Sequence, residues 1–258
     1  MNVDGCRRVI DACLAARVPR LVYTSSYNAV FFGKPIRGLD ETDLPYPDPS
    51  LFCDEYSRTK SMAERMVLEA NGAKIKTVAL RSAAIWGFGE ERHMARVNHL
   101  IDLGLFRVRF GDNPVVDFVH IDNLVQAHVR ACERLSADPR VEGAAFFVND
   151  GEDLAVDNFE WFAQLKRGKG MGGAETLFML PFSLVYGLAI VCELVYLALG
   201  VWYPFMLTRA EVLKSGVEHH VSIKLARQHL GYDPEVHSFD EVIEQWTSAS
   251  SREKYKNE

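Results

Sequence analysis

Tyr56-Ser57-Arg58-Thr59-Lys60 sets a phenol and an ammonium four residues apart. On a helix those positions share a face, and the cation then favours the phenolate. A free tyrosine ionises near pH 10, so a fixed positive neighbour is the direct way to make one a base near neutrality. Ser26 closes the run Leu21-Val22-Tyr23-Thr24-Ser25-Ser26 and offers a hydroxyl able to hydrogen-bond a substrate oxygen. Together the three groups suit proton transfer at an alcohol or carbonyl oxygen. A tyrosine and a lysine at this spacing are weak evidence alone, and Thr24-Ser25-Ser26 could simply end a strand. They gain weight only if one fold brings the strand end and the helix together.

The surrounding elements have the order that would do so. Val3, Cys6, Val9, Ile10, Cys13 and Leu14 recur at three and four residues, which predicts a helix over 3–16. Leu21 to Ser26 reads as a buried strand, and Pro35, Pro45, Pro47 and Pro49 mark 33–49 as loop. A second helix is expected over 54–70, with Met62, Ala63, Met66 and Val67 on one face and Asn71-Gly72 closing it. Ile75 to Arg81 is the next strand, and 83–87 the loop at its carboxyl end. Helix, strand, helix, strand is the rhythm of a parallel sheet covered by helices. Ligands of such sheets gather at the carboxyl ends of the strands, where Ser26 and 83–87 both fall. Beyond Gly87, helices over 93–103 and 123–135, short segments at 106–110 and 115–120 and a strand at 144–149 predict a smaller mixed lobe. Ser222 is expected to cap a helix ending at Leu230, followed by another helix over 238–246.

With 258 residues, 48% hydrophobic, 25% charged and a net charge of −6, the chain can bury its own core without a disulfide or a metal. The acidic balance argues against nucleic acid as a partner, and Lys166-Arg167-Gly168-Lys169 is too short to reverse that. Cys6, Cys13, Cys53, Cys132 and Cys192 fall in no ligand spacing and predict reduced, buried thiols in a cytosol-facing protein. His120 and the pair His219-His220 read as structural, so no metal is expected; Asp117 and Asp122 read as loop and helix caps. Met1-Asn2-Val3-Asp4 leads straight into the first helix without the pattern of a signal peptide.

Three further stretches join the serine and the Tyr/Lys pair: Asn2-Val3-Asp4-Gly5, Leu80-Arg81-Ser82-Ala83-Ala84-Ile85-Trp86-Gly87, and Val116-Asp117-Phe118-Val119-His120-Ile121-Asp122-Asn123-Leu124-Val125-Gln126-Ala127-His128. In this order the five motifs resemble the extended short-chain dehydrogenases/reductases, and more closely their 3β-hydroxysteroid dehydrogenase/isomerase-like branch. The resemblance covers nearly the whole chain. It implies an α/β fold: an incomplete Rossmann-type parallel sheet, a smaller mixed α/β substrate lobe and an apolar helical segment. By the resemblance Tyr56 is the catalytic acid/base, Lys60 holds the nicotinamide ribose and lowers the Tyr56 pKa, and Ser26 orients the substrate oxygen. Asn2 supports Lys60 through water, and Ala83, Ala84 and Ile85 line the nicotinamide of NAD or NADP. The implied substrate is a 3β-hydroxysteroid or sterol, with a nucleotide sugar or flavonoid-like ketone as the alternative, and a homodimer is among the expectations.

Members of that family carry a glycine-rich turn after their first strand, where the backbone approaches the cofactor's pyrophosphate. Here Gly168, Gly170, Gly172 and Gly173 follow no strand and read as linker. The motif order begins at a helix that the family places after its first strand–helix units. The expectation is therefore an amino-terminally shortened form that binds cofactor poorly, with a non-catalytic, membrane-associated remnant as the alternative.

These readings divide the chain four ways. Residues 1–87 are the carboxyl-terminal part of a Rossmann-like NAD(P)-binding domain, 88–175 a substrate lobe with returning sheet elements, 176–208 an apolar segment and 209–258 a helical end. From Thr176 to Thr208, 25 of 33 residues are apolar and Glu193 is the only charge. Pro181, Gly187, Gly200 and Pro204 interrupt the stretch, and a mid-bilayer glutamate is costly. Yet 14 of the 16 residues from Leu184 to Leu199 are apolar, with Tyr186, Tyr196, Trp202 and Tyr203 placed like an interfacial belt. Membrane association is the preferred reading over a buried hairpin, and spanning or lying in the interface is left open. The expected location is the endoplasmic reticulum membrane with a cytosolic catalytic face; the alternative is cytoplasmic.

Overall fold

Helical and strand periodicities alternate along the chain, and a computed structural model realises both. It describes residues 1–104, 106–111, 114–171, 178–200 and 207–247. The first elements are α1 (Asn2–Ala15), β1 (Arg20–Thr24), β2 (Ile36–Leu39), α2 (Glu55–Glu69), β3 (Lys76–Ser82) and β4 (Ala84–Trp86). Next come α3 (His93–Asp102), β5 (Val108–Phe110), β6 (Val115–Val116), β7 (Phe118–His120), α4 (Ile121–Arg134), β8 (Ala144–Val148), β9 (Val156–Asp157) and α5 (Asn158–Gly168). The last are β10 (Phe178–Leu180), α6 (Phe182–Leu199), α7 (Arg209–Gly216), β11 (His219–Val221) and α8 (Asp240–Thr247). They form two compact units: Met1–Ile85 with Asp117–Ala155 and His220–Val236, and Trp86–Val116 with Val156–His219 and His237–Glu258.

The first unit is built on a parallel sheet of order β1-β3-β8. Its register runs from Arg20↔Lys76 to Thr24↔Leu80, and from Val78↔Ala144 to Ser82↔Val148. Every residue from Thr77 to Ser82 is buried, as expected of a central parallel strand covered on both faces. α2 packs on β3, α1 packs on α2, and α4 lies against β1 and β3. Two local expectations change. β2 lies inside the proline-rich 33–49 segment, because Pro35 precedes the strand and Pro45 to Pro49 follow it, so no ladder position is lost. Ala84 to Trp86 is a short strand rather than loop, and the Ala83 N–H already donates to the Val148 carbonyl at 2.9 Å, carrying the ladder past Ser82.

The second unit pairs β5 with β10 in parallel and β6 with β9 antiparallel. Its core includes Trp86, Trp161 and Phe239, with Trp86 stacked on Phe239 at 5.7 Å and Trp161 edge-on to it at 4.8 Å. Gly111 (φ +84°) has no room for a side chain, since a Cβ there would sit 2.4 Å from the Gly216 carbonyl oxygen. The basic cluster is spent internally: Lys166 is buried, Arg167 pairs with Glu160 at 2.5 Å, and Lys169 pairs with Asp102. All five cysteines are free thiols, four partly buried and Cys132 exposed. Gly172, Gly173, Thr176, Trp202, Tyr203 and Pro204 lie outside the described residues.

Candidate active site

α2 begins at a fixed point. The Asp54 carboxylate accepts from the Ser57 N–H at 2.7 Å and from its hydroxyl at 3.1 Å, and Glu55 pairs with Arg58 at 2.6 Å. That cap sets the helical phase, so Tyr56, Lys60 and Glu64 follow one another on one face.

Lys60 reaches off the helix to the carboxyl end of β1. Its Nζ donates to the Tyr23 hydroxyl at 2.9 Å and to the Thr24 carbonyl at 2.7 Å, and stands 4.4 Å from the Tyr23 ring centre. Burial pushes the ammonium pKa down, while Glu64 and Cys6 oppose the shift. The Tyr23 hydroxyl is pushed up by burial, with Cys6, Glu64 and Tyr56 adding to the rise. Tyr56 is 45% exposed. Asn2 donates from Nδ2 to Thr59 Oγ1 at 2.9 Å, so it braces α2 at the residue next to Lys60.

Ser26 lies two residues past the end of β1 and is buried. Its Oγ accepts from the Asn28 backbone N–H at 3.3 Å and from Asn28 Nδ2 at 3.0 Å, capping the single turn Tyr27–Ala29 against which α2 packs. Burial, with a further contribution from Tyr56, pushes the Tyr27 phenol pKa up. Ser25 Oγ and Asn28 Oδ1, on either side of Ser26, are buried without a protein hydrogen-bond partner. Buried polar atoms of this kind ask for a ligand or an ordered water. At the end of β3, Ser82 donates to the Ser25 carbonyl at 3.3 Å, and Ala83, Ala84 and Ile85 follow with small or apolar side chains. Strand-end serines, Lys60 and the small Ala83–Ala84 pair thus suit a flat, polar-edged ring. The fit to a nicotinamide rests on the two orphaned oxygens.

Sequence reasoning missed the groups behind Lys60. Glu64 accepts from Arg81 Nε at 3.0 Å and Nη2 at 2.9 Å, and from the Tyr46 hydroxyl at 2.5 Å. The Arg81 guanidinium also lies over the Tyr46 and Phe147 rings, 5.2 and 5.3 Å from their centres. Glu64 is 0% and Arg81 4% exposed. The signal was available: a glutamate four residues after Lys60, and one arginine in the otherwise apolar end of Ile75-Lys76-Thr77-Val78-Ala79-Leu80-Arg81. Asp122, expected as a helix cap, lies inside the first turn of α4, because His120 takes the cap position. His120 accepts from the Asp122 N–H at 3.3 Å and caps α4, His219 donates to the Val217 carbonyl at 2.7 Å, and Asp117 accepts from the Val221 N–H at 2.7 Å. Burial raises the Asp117 pKa to about 7.

Known proteins resemble this chain in sequence and in fold. Residues 1–177 match the model of the 3-beta hydroxysteroid dehydrogenase/isomerase family. Short-chain dehydrogenase/reductase family 42E member 1 of Mus musculus is 44% identical over 261 residues, covering 96% of this chain and 65% of that protein. The 2-alkyl-3-oxoalkanoate reductase of Stenotrophomonas maltophilia (strain K279a) is 32% identical over 251 residues, covering 97% and 74%. Among solved structures, MoeE5 in complex with UDP-glucose and NAD superposes with a TM-score of 0.64 at 21% identity, covering 96% of this chain and 71% of that one, a likeness of fold. The chain thus spans about two thirds of the length of the mouse relative. A family model matched from the first residue through α5, relatives above 30% identity and the α2–β1 geometry agree: the chain belongs to the 3-beta hydroxysteroid dehydrogenase/isomerase family of short-chain dehydrogenases/reductases.

Proposed function

We propose that these residues form part of an NAD(P)-dependent oxidoreductase that interconverts a secondary alcohol and a ketone, with a 3β-hydroxysteroid or sterol as substrate. The observation that carries the reading is Lys60, held by Tyr23 and Thr24 at the strand end two residues before Ser26. In this scheme Tyr56, as phenolate, takes the hydroxyl proton, Ser26 orients the oxygen, Lys60 supplies the positive field and Asn2 braces its helix. Ala83, Ala84 and Ile85, with Lys60, are the residues that would hold the nicotinamide end of the cofactor. The cofactor supplies the hydride acceptor or donor. The bacterial relative's name, a reductase of a 3-oxo compound with an alkyl chain, supports an apolar keto substrate.

Location follows the substrate. Among the described residues α6 is long and apolar enough to cross a membrane. A lipid-dissolved substrate makes membrane association, at the endoplasmic reticulum with the catalytic face toward the cytosol, the consistent reading. The chain division made from sequence is kept with it: cofactor chemistry in 1–87, and in 88–175 substrate selection together with sheet elements, such as β8, that return to the first unit. Because the chain spans 65% of the mouse relative, the activity is proposed for the protein these residues belong to. The test is an assay of NAD(P)H formation with a 3β-hydroxysteroid, in this chain and in any longer form. Tyr56→Phe is expected to lower turnover by about 10²- to 10⁴-fold. A Tyr56→Phe protein with unchanged turnover overturns the mechanism, and a folded wild type that oxidises other secondary alcohols but no steroid overturns the substrate.

A further inference from the structure

α6 resolves into two faces. Phe182, Val185, Tyr186, Ala189 and Glu193 recur at three and four residues and form one stripe. That stripe packs on the second unit: Val185 and Ala189 are buried with Val212 of α7, and Phe110, Leu180, Phe182, Tyr186 and Leu207 close around them. The opposite face carries Leu184, Leu188, Val191, Leu194 and Val195, all exposed, Val191 at 56% and Leu194 at 60%. β10, which leads into the helix, adds exposed Phe178 and Met179.

The one charge in this stretch lies on the packed stripe. Glu193 accepts from the Arg209 backbone N–H at 2.7 Å and from Arg209 Nε at 2.6 Å. Read from sequence, Glu193 counted against contact with lipid. In the fold it is turned to the protein, and the outward face carries no charge. A protein partner is usually met by an apolar centre with a polar rim. Here, among the described residues, the aliphatic face runs the helix length, about 27 Å, without one.

The same packing opposes a span. A helix crossing the bilayer with its inner stripe still on α7 would draw Arg209, Glu211 and Lys214 into hydrocarbon, where charged groups and irregular backbone are costly. Opening that stripe would strip Glu193 of its partner. Resting on the membrane reading proposed above, we infer that α6 is a one-sided anchor. It lies in the interface plane of a lipid bilayer, with Leu184, Leu188, Val191, Leu194 and Val195 in the acyl boundary and the Val185–Ala189–Glu193 stripe on the protein.

The test uses the whole chain with sealed phosphatidylcholine vesicles, with and without phosphatidylserine. Flotation reads binding, and external protease reads which side the segments flanking α6 occupy. Co-flotation is expected, with both flanks cleaved from outside. The pair Leu184→Glu, Val191→Glu should weaken binding by at least about tenfold, with unchanged circular dichroism. Val191→Trp, an exposed site that tolerates the change, should be quenched more by brominated lipids labelled near the headgroup than by those labelled at the chain ends. Flotation with one flank protected, or quenching strongest at the bilayer centre, overturns the one-sided anchor and leaves membrane association standing. No flotation overturns both, and so does binding indifferent to the glutamate pair if Val191→Trp is unquenched.

Discussion

α2 and α6 treat charge in opposite ways. α2 is rich in charged residues, yet its innermost one, Glu64, is wholly buried with Arg81 and Tyr46. α6 carries a single charge, Glu193, and leaves most of its aliphatic side chains outside the protein. Each helix pairs a glutamate with an arginine of another element, but the pair behind Lys60 is sealed from water, whereas Arg209 and Glu193 keep 43% and 26% of their side-chain surface. The difference teaches where electrostatics is put to use. A sealed pair ties α2 to β3 four residues after Lys60, whereas a wet pair merely keeps a charge off the outward aliphatic face.

The largest expected effect breaks the sealed pair. Glu64→Gln leaves Arg81 buried without its counter-charge and should cost about 3–5 kcal/mol in urea unfolding; a loss under about 1 kcal/mol would mean that water reaches the pair. Titration separates the units next. Burial raises Asp117 and Glu41 in the first unit, each to about 7, from ordinary values of 3.8 and 4.5. Between about pH 4 and 7 the folded state therefore holds protons that the unfolded chain releases, and stability falls as pH rises through that window. Asp117→Asn should flatten the slope by at most about 4 kcal/mol across it, read by unfolding at pH 4.5 and 7.5. An unchanged slope would show Asp117 ionised in the fold.

Tyr23→Phe removes one acceptor from Lys60 and should cost about 1 kcal/mol, while shifting the pH profile of any turnover; an unmoved profile would make Tyr23 a packing residue only. The smallest effect is expected on α6. Glu193→Gln keeps an acceptor for the Arg209 N–H and should cost less than about 1 kcal/mol, since solvent screens the pair, with vesicle binding unchanged. A cost equal to that of Glu64→Gln would erase the contrast between the helices.

Much of the first unit was legible beforehand because its signals are local. The spacing of Val3 to Leu14 and the run Leu21 to Ser26 each declare their element within a few residues. The phase of α2 depends only on Asp54 and the residues after it. Chemical type was legible as well: a phenol and an amine at four residues, and a hydroxyl at a strand end. The strand at 36–39 was hidden because prolines beside it mask its period, and because its partner is the distant β11, just beyond which the Ser222 N–H donates to the Leu39 carbonyl at 3.0 Å.

Sequence alone determined the family motifs, the parallel-sheet rhythm, the Tyr56/Lys60/Ser26 set and the apolar composition of 176–208, since each is a property of neighbours along the chain. Only tertiary structure decided that Lys60 hydrogen-bonds Tyr23, that Asn2 meets Thr59, that Glu64 is sealed with Arg81, and that Glu193 faces inward. Those outcomes depend on which elements touch. A side chain's partner across the fold is set by burial and by hydrogen bonds between segments far apart in sequence, and no local period encodes it.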